Sequence, residues 1–233
     1  LPWKNVLIVT SLIASAGGLL VLVIIPDGPF RRISSGFKPS ALFNAFRIPK
    51  FRSAAFGYFG HMWELYTLWA FLPFIIVLHN QASGLPLSIP VTSFLAIAAG
   101  ALGCVVGGWL SKKFGSARIA FYSLAISCFC CLISPWMIPS DNIPFILFLM
   151  TWGITVAADS PQFSALVAST APSEKKGTAL TFVICIGFAI TILSIFIIDK
   201  LLHQFNSSYY VFTLLSPGPL IGLIAMLPIL KRS

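Results

Sequence analysis

Two carboxylates and an imidazole stand where charge is expensive. His61 and Glu64 lie in the apolar run Ser53 to Leu78, and Asp159 lies in the run Ile143 to Ser169. An acid at the centre of a membrane span costs roughly 3 kcal/mol on insertion scales, so such groups face a bundle interior or a wet cavity. Glu64 is 10 residues in from Ala54, and Asp159 is 10 residues before Ser169. At the rise of a helix each therefore sits roughly 15 Å from the same membrane face. That is the middle of a hydrocarbon core about 30 Å thick. Two acids at one depth suit a cation, or a proton that is taken up and released. His61, one turn from Glu64, is placed to relay that proton or to pair with the acid. The competing account is structural: Glu64 locks a neighbouring helix, Asp159 caps a local break, and His61 is a satisfied core histidine.

Other polar groups flank these. Pro161 removes one helix hydrogen bond and frees the carbonyl of Ala157. Broken helices at membrane depth often line transport sites. Gln162 is one turn from Asp159 and is a candidate for a hydrogen bond to a substrate. Tyr58, Trp63, Tyr66 and Trp69 spread around their helix. Those on the face of His61, Tyr58 among them, are candidates to stack on a substrate, and the rest are expected to pack.

The elements that must carry these groups are membrane spans. The 233 residues are 58% hydrophobic and 9% charged, with a mean hydropathy of +0.94. A soluble domain carries about 25% charged residues. The expectation is an all-α, polytopic membrane helix bundle with seven transmembrane helices. The spans run Val6–Ile25, Ser53–Leu78, Val91–Leu110, Ile119–Ile138, Ile143–Ser169, Ala179–Ile198 and Tyr209–Leu230. His79 to Pro90 and Asp199 to Ser208 read as loops. Gly103 and Gly107 form a small-xxx-small pair for close helix contact, and Trp136 reads as an interfacial anchor.

The net charge of +9 does not indicate nucleic acid, because the basic residues sit at the ends of apolar runs. Alternate connectors hold Arg31, Arg32, Lys38, Arg47, Lys50, Arg52, Lys112, Lys113, Arg118, Lys175, Lys176, Lys231 and Arg232, which is 13 of the 15 Lys and Arg. The positive-inside rule then places the N-terminus outside and the C-terminus in the cytoplasm of a plasma membrane, the inner membrane in a bacterium. Residues 1–25 read as a lone span and 26–52 as a basic connector. Residues 53–233 read as a six-helix unit of two triplets, 53–138 and 143–230. Ser40 is expected to cap a short surface helix ending at Phe46. The five cysteines lie in apolar runs without zinc-site spacing, so they read as small buried apolar residues; no metal or cofactor is expected. The run Leu110 to Ser116 is weakly echoed at Leu201 to Ser207, on the opposite membrane face, as an inverted repeat requires.

The turn GGWLSKKFGSAR, Gly107 to Arg118, resembles the signature turn of the major facilitator superfamily, with Gly108, Leu110, Gly115 and Arg118 in place. Lys112 stands where that signature has an aspartate, so the gating ion pair of that aspartate is not expected here. The basic connector after Gly28 and Pro29 resembles the linker between the family's two halves. The resemblance implies helices six to twelve of twelve, with the first five, most of an N-terminal half, missing. The start at Leu1 also suggests a fragment. By the same resemblance Ser53–Leu78 and Ile143–Ser169 are cavity helices, and the partners are lipid, a small-molecule substrate and protons.

That reading is secondary transport of a small solute by alternating access. A seven-span receptor matches the span count, but its longest basic loop would follow the first span. An intramembrane enzyme lacks support, with no Ser/His pair in a Gly-x-Ser-Gly setting and no paired metal-ligand motif. A non-transporting membrane scaffold is the remaining alternative.

Overall fold

A computed structural model describes residues 2–26, 45–84, 86–172, 176–206 and 208–230. The chain divides into two compact units, Leu1–Phe37 and Lys38–Ser233. Among the described residues there is no strand, and seven helical segments are long and apolar enough to cross a membrane.

The first unit contributes α1, Trp3–Ile24, which buries none of its residues. Its residues are mostly apolar, and it is long enough to cross a membrane. It stops where Ile25 turns extended, with φ −97° and ψ 106°, because the following Pro26 disfavours the helical conformation at that position. The connector 27–44, with the expected cap at Ser40, lies outside the described residues; Ala45 and Phe46 are helical.

The second unit is a helical bundle around α2, Pro49–Ser83. It continues with α3, Ile89–Phe114, and α4, Ser116–Met137. Next come α5, Asn142–Ala158, and α6, Ser160–Thr170, separated by Asp159 alone. The chain then forms α7, Lys176–Gln204, a 3-10 turn, Tyr209–Leu215, and α8, Pro217–Leu230. Proline stands in the first turn of α2, α3 and α6, where its missing N–H has no intrahelical partner to lose. A single residue joins α3 to α4: Gly115, at φ 85° and ψ 144°. Only glycine adopts that conformation readily, which explains its place in the signature turn.

α2 packs against α8, α7, α6, α3 and α5. Its two ends serve two apolar cores. Leu65, Leu68, Leu72 and Ile76 meet Phe145, Trp152 and Phe212 in one, while Phe51, Ala54, Tyr58 and Met62 meet Leu124, Phe163 and Met226 in the other. α3 lies against α5 through small residues. A side chain at Gly103 would strike the carbonyl oxygen of Ile154, and one at Gly153 that of Ala96. Gly107 would meet the carbonyl oxygen of Ala158 at 3.2 Å. Backbones approach this closely only where no Cβ intervenes.

Three expectations are corrected. His79 is in helix α2 and not in a loop. It is buried, donates from Nδ1 to the carbonyl of Ile138 at 2.8 Å, and has Nε2 2.8 Å from Asn142 Oδ1. Its ring stacks on Phe145 with centroids 3.8 Å apart. These partners satisfy a polar group that sequence alone assigns to a solvated turn. Asp199 belongs to α7 and not to a loop, since α7 runs on to Gln204; the last span keeps its expected bounds, Tyr209–Leu230, with a fresh helix starting at Pro217. The cysteines are not uniformly buried: Cys185 is exposed and Cys104 partly so, because α3 and α7 each bury only a narrow face.

Candidate functional site

The helix α2 turns one face toward α4 and the α5–α6 break, and the polar side chains of that face find different partners. Glu64 is fully buried. Its Oε1 accepts from Trp152 Nε1 at 2.6 Å and from Cys131 Sγ at 3.2 Å, and its Oε2 accepts from Ser127 Oγ at 3.0 Å. One carboxylate thus ties α2 to α4 and α5. Three donors on one carboxyl group offset much of the cost of removing it from water.

His61 turns away from Glu64. Its Nδ1 lies 3.0 Å from Asp159 Oδ1, and both side chains are 0% exposed. The Asp159 carboxyl also lies within reach of the main-chain N–H groups of Asp159 and Ser160 at the helix break. The sequence reading allowed His61 to pair with Glu64, and the tertiary structure gives it Asp159. Residues three apart project about 60° apart around a helix, so neighbours on one helix can face different neighbouring helices.

Asp159 is where the helix breaks. Its φ of −81° and ψ of −20° stay near helical, but Ser160 and Pro161 begin a new segment. The carbonyl of Ala157, which a residue other than proline at 161 would cap, accepts from Cys104 Sγ of α3 at 3.3 Å. A third helix therefore supports the break. Phe163 and Tyr58 close around the imidazole, with ring centroids 5.8 Å and 6.0 Å from His61. Gln162 is buried on α6. Tyr58 is also buried and packs against Gly187 of α7, where a Cβ would come within 2.7 Å of its ring.

Of the other aromatic residues, Trp63 donates from Nε1 to the carbonyl of Leu214 at 3.1 Å. Tyr66 and Trp69 pack on each other with centroids 5.5 Å apart. Trp152, Ser127 and Cys131 were not singled out by sequence. A donor residue is common in a span, and only the packed bundle shows which of them meets the carboxylate. A second polar seam also emerges: Thr67 Oγ1 donates to Ser194 Oγ at 2.9 Å, and Ser194 Oγ to the carbonyl of Trp63 at 2.7 Å. The residues of the signature turn lie apart from the acids, at the membrane-surface ends of α3 and α4; Gly108 faces open space and Arg118 is exposed.

The model of one family, the Major Facilitator Superfamily, matches residues 1–195. The chain is also similar to the probable galactarate/D-glucarate transporter GudP of Escherichia coli (strain K12), with 28% identity over 127 residues. That match covers 53% of this chain and 28% of the relative, so the chain spans less than a third of the protein it resembles.

Proposed function

This chain belongs to the major facilitator superfamily, and on that premise we propose that it is part of a secondary transporter. It carries a small solute across the membrane by alternating access, with a proton exchanged in the layer formed by His61, Asp159 and Glu64. The observation that supports this most is the His61–Asp159 contact: two ionisable side chains, fully buried, beside a helix break at membrane depth. Two ionisable side chains in contact across an interrupted helix are placed to change partners as the helices move.

The relative's name refers to galactarate and D-glucarate, and we extend that to a small hydrophilic organic acid as the solute class. An anion entering a layer that holds two carboxylates needs compensating positive charge, because an unpaired buried charge is strongly unfavourable. Proton uptake at His61 or Asp159 supplies it. Tyr58 and Gln162 would then contact the solute. In this reading residues 53–233 form the C-terminal half of a twelve-helix protein. The N-terminus of the present chain lies outside, its C-terminus in the cytoplasm, and a second half completes the pathway.

The test uses the full-length protein reconstituted in vesicles with labelled D-glucarate. Asp159→Asn is expected to abolish uptake driven by a pH gradient while leaving exchange of labelled for unlabelled solute. Wild-type gradient-driven uptake by that variant would remove the coupling role. Glu64→Gln is expected to lower the amount of folded protein as well as uptake.

A further inference from the structure

The signature turn carries a site of its own. An apolar slot of about 320 Å³ opens between α3, α4 and α5, lined by Leu102, Val106, Leu110, Tyr122, Ile126 and Ile154 among others. No charged residue lines it. From Leu102 to Leu110 it follows the helix for about 12 Å, within a span. Leu110 also lines a second cavity, of about 460 Å³, whose other residues are Trp109, Lys112, Lys113 and Phe114. Leu110 thus borders both: the uncharged slot within the span and, at the end of the same helix, a mouth with two lysines.

Charge decides what fits. Lys112 and Lys113 are exposed, and the sequence holds no acid between Glu64 and Asp141. Trp109 is 70% exposed at the same level, as an indole at the headgroup region would be. A ligand that matches both parts has an apolar chain and an anionic head. A soluble anion would leave the slot unfilled, and a neutral lipid would leave the lysines without a partner.

We propose that the α3–α4 turn binds an anionic phospholipid, with an acyl chain in the slot between Leu102 and Leu110 and the phosphate at Lys112 and Lys113. Basic pockets between membrane helices suit such headgroups, and each lysine near an anionic surface changes partitioning by about fivefold. Lys112 takes on this role at the position where the family signature has an acid.

The experiment is native mass spectrometry of the full chain in mixed micelles, titrated with phosphatidylglycerol or phosphatidylcholine. Wild type is expected to retain phosphatidylglycerol about 25-fold better, from two lysines at about fivefold each. The double variant Lys112→Gln/Lys113→Gln should lose that preference and keep its phosphatidylcholine level. Ser123→Leu, which fills the slot, should lower both. Lys112 and Lys113 are exposed at the end of α3, and an unchanged thermal transition of each variant checks folding. Retained preference in the lysine variant would overturn the proposal. So would displacement of phosphatidylglycerol by excess glycerol phosphate, which would identify a soluble phosphate as the ligand, or dimerisation that closes the slot to lipid.

Discussion

The indole nitrogen of Trp152 lies 2.6 Å from Oε1 of Glu64, and this one bond joins α5 to α2 in the interior of the bundle. It is the shortest of three donors on that carboxylate, the others being Ser127 and Cys131 of α4. Glu64 is thus a three-helix latch, while Asp159 has the ionisable His61 beside it.

Trp152→Phe keeps an aromatic ring and removes the donor. A buried bond to a carboxylate contributes about 1.5–3 kcal/mol. The variant is expected to lose stability of that order, measured by thermal unfolding in detergent. An unchanged transition would mean that the latch does not hold the bundle together.

The contact between His61 and Asp159 should appear as a coupling energy. His61→Gln, Asp159→Asn and the double variant form a cycle, and residues in direct contact couple by 0.5–3 kcal/mol. Unfolding midpoints of the four proteins measure it. A cycle combining His61→Gln with Glu64→Gln is expected to give a smaller coupling, since His61 faces the other acid. The reverse order would place the imidazole on Glu64.

Close packing of α3 on α5 makes a third prediction. Gly153→Ala puts a methyl group against the Ala96 carbonyl, and overpacking costs about 1–3 kcal/mol. Gly108→Ala, with nothing within 4 Å of the added carbon, is expected to be neutral within about 0.5 kcal/mol. Equal stabilities of the two variants would refute this account of the interface.

Pro161→Ala gives the Ala157 carbonyl a further main-chain donor, besides the N–H of Asp159, in competition with Cys104. The α5–α6 segment should straighten and gain up to about 1 kcal/mol. Gradient-driven uptake by the full-length protein should fall, because the break that places Asp159 is lost. Faster labelling of Cys104 by a small thiol reagent would report its release from Ala157. Unaltered uptake together with released Cys104 would show that transport does not use the break.

Much of this was legible along the chain. The spans are read from runs of apolar residues, because lipid leaves a helix few ways to satisfy its backbone. The interruption near Asp159 follows from Pro161, and the small residues at 103 and 107 from the closeness of their neighbours. Segment ends were less legible. His79 looks like a loop residue until Ile138, Asn142 and Phe145 surround it, and Asp199 remains helical because α7 projects beyond its apolar core.

The order of residues by itself determined that Glu64, His61 and Asp159 lie inside long apolar helices, since that depends only on position along the chain. Which of them meet was decided by the tertiary structure. Glu64 is satisfied by Ser127, Cys131 and Trp152, which are 63, 67 and 88 positions away, and His61 reaches Asp159 across another interface. The physical reason is that a helix fixes the angle at which a side chain leaves its axis, whereas its partner depends on how neighbouring helices are rotated and offset. In this bundle those rotations are set by contacts such as Gly103 on Ile154 and Gly153 on Ala96.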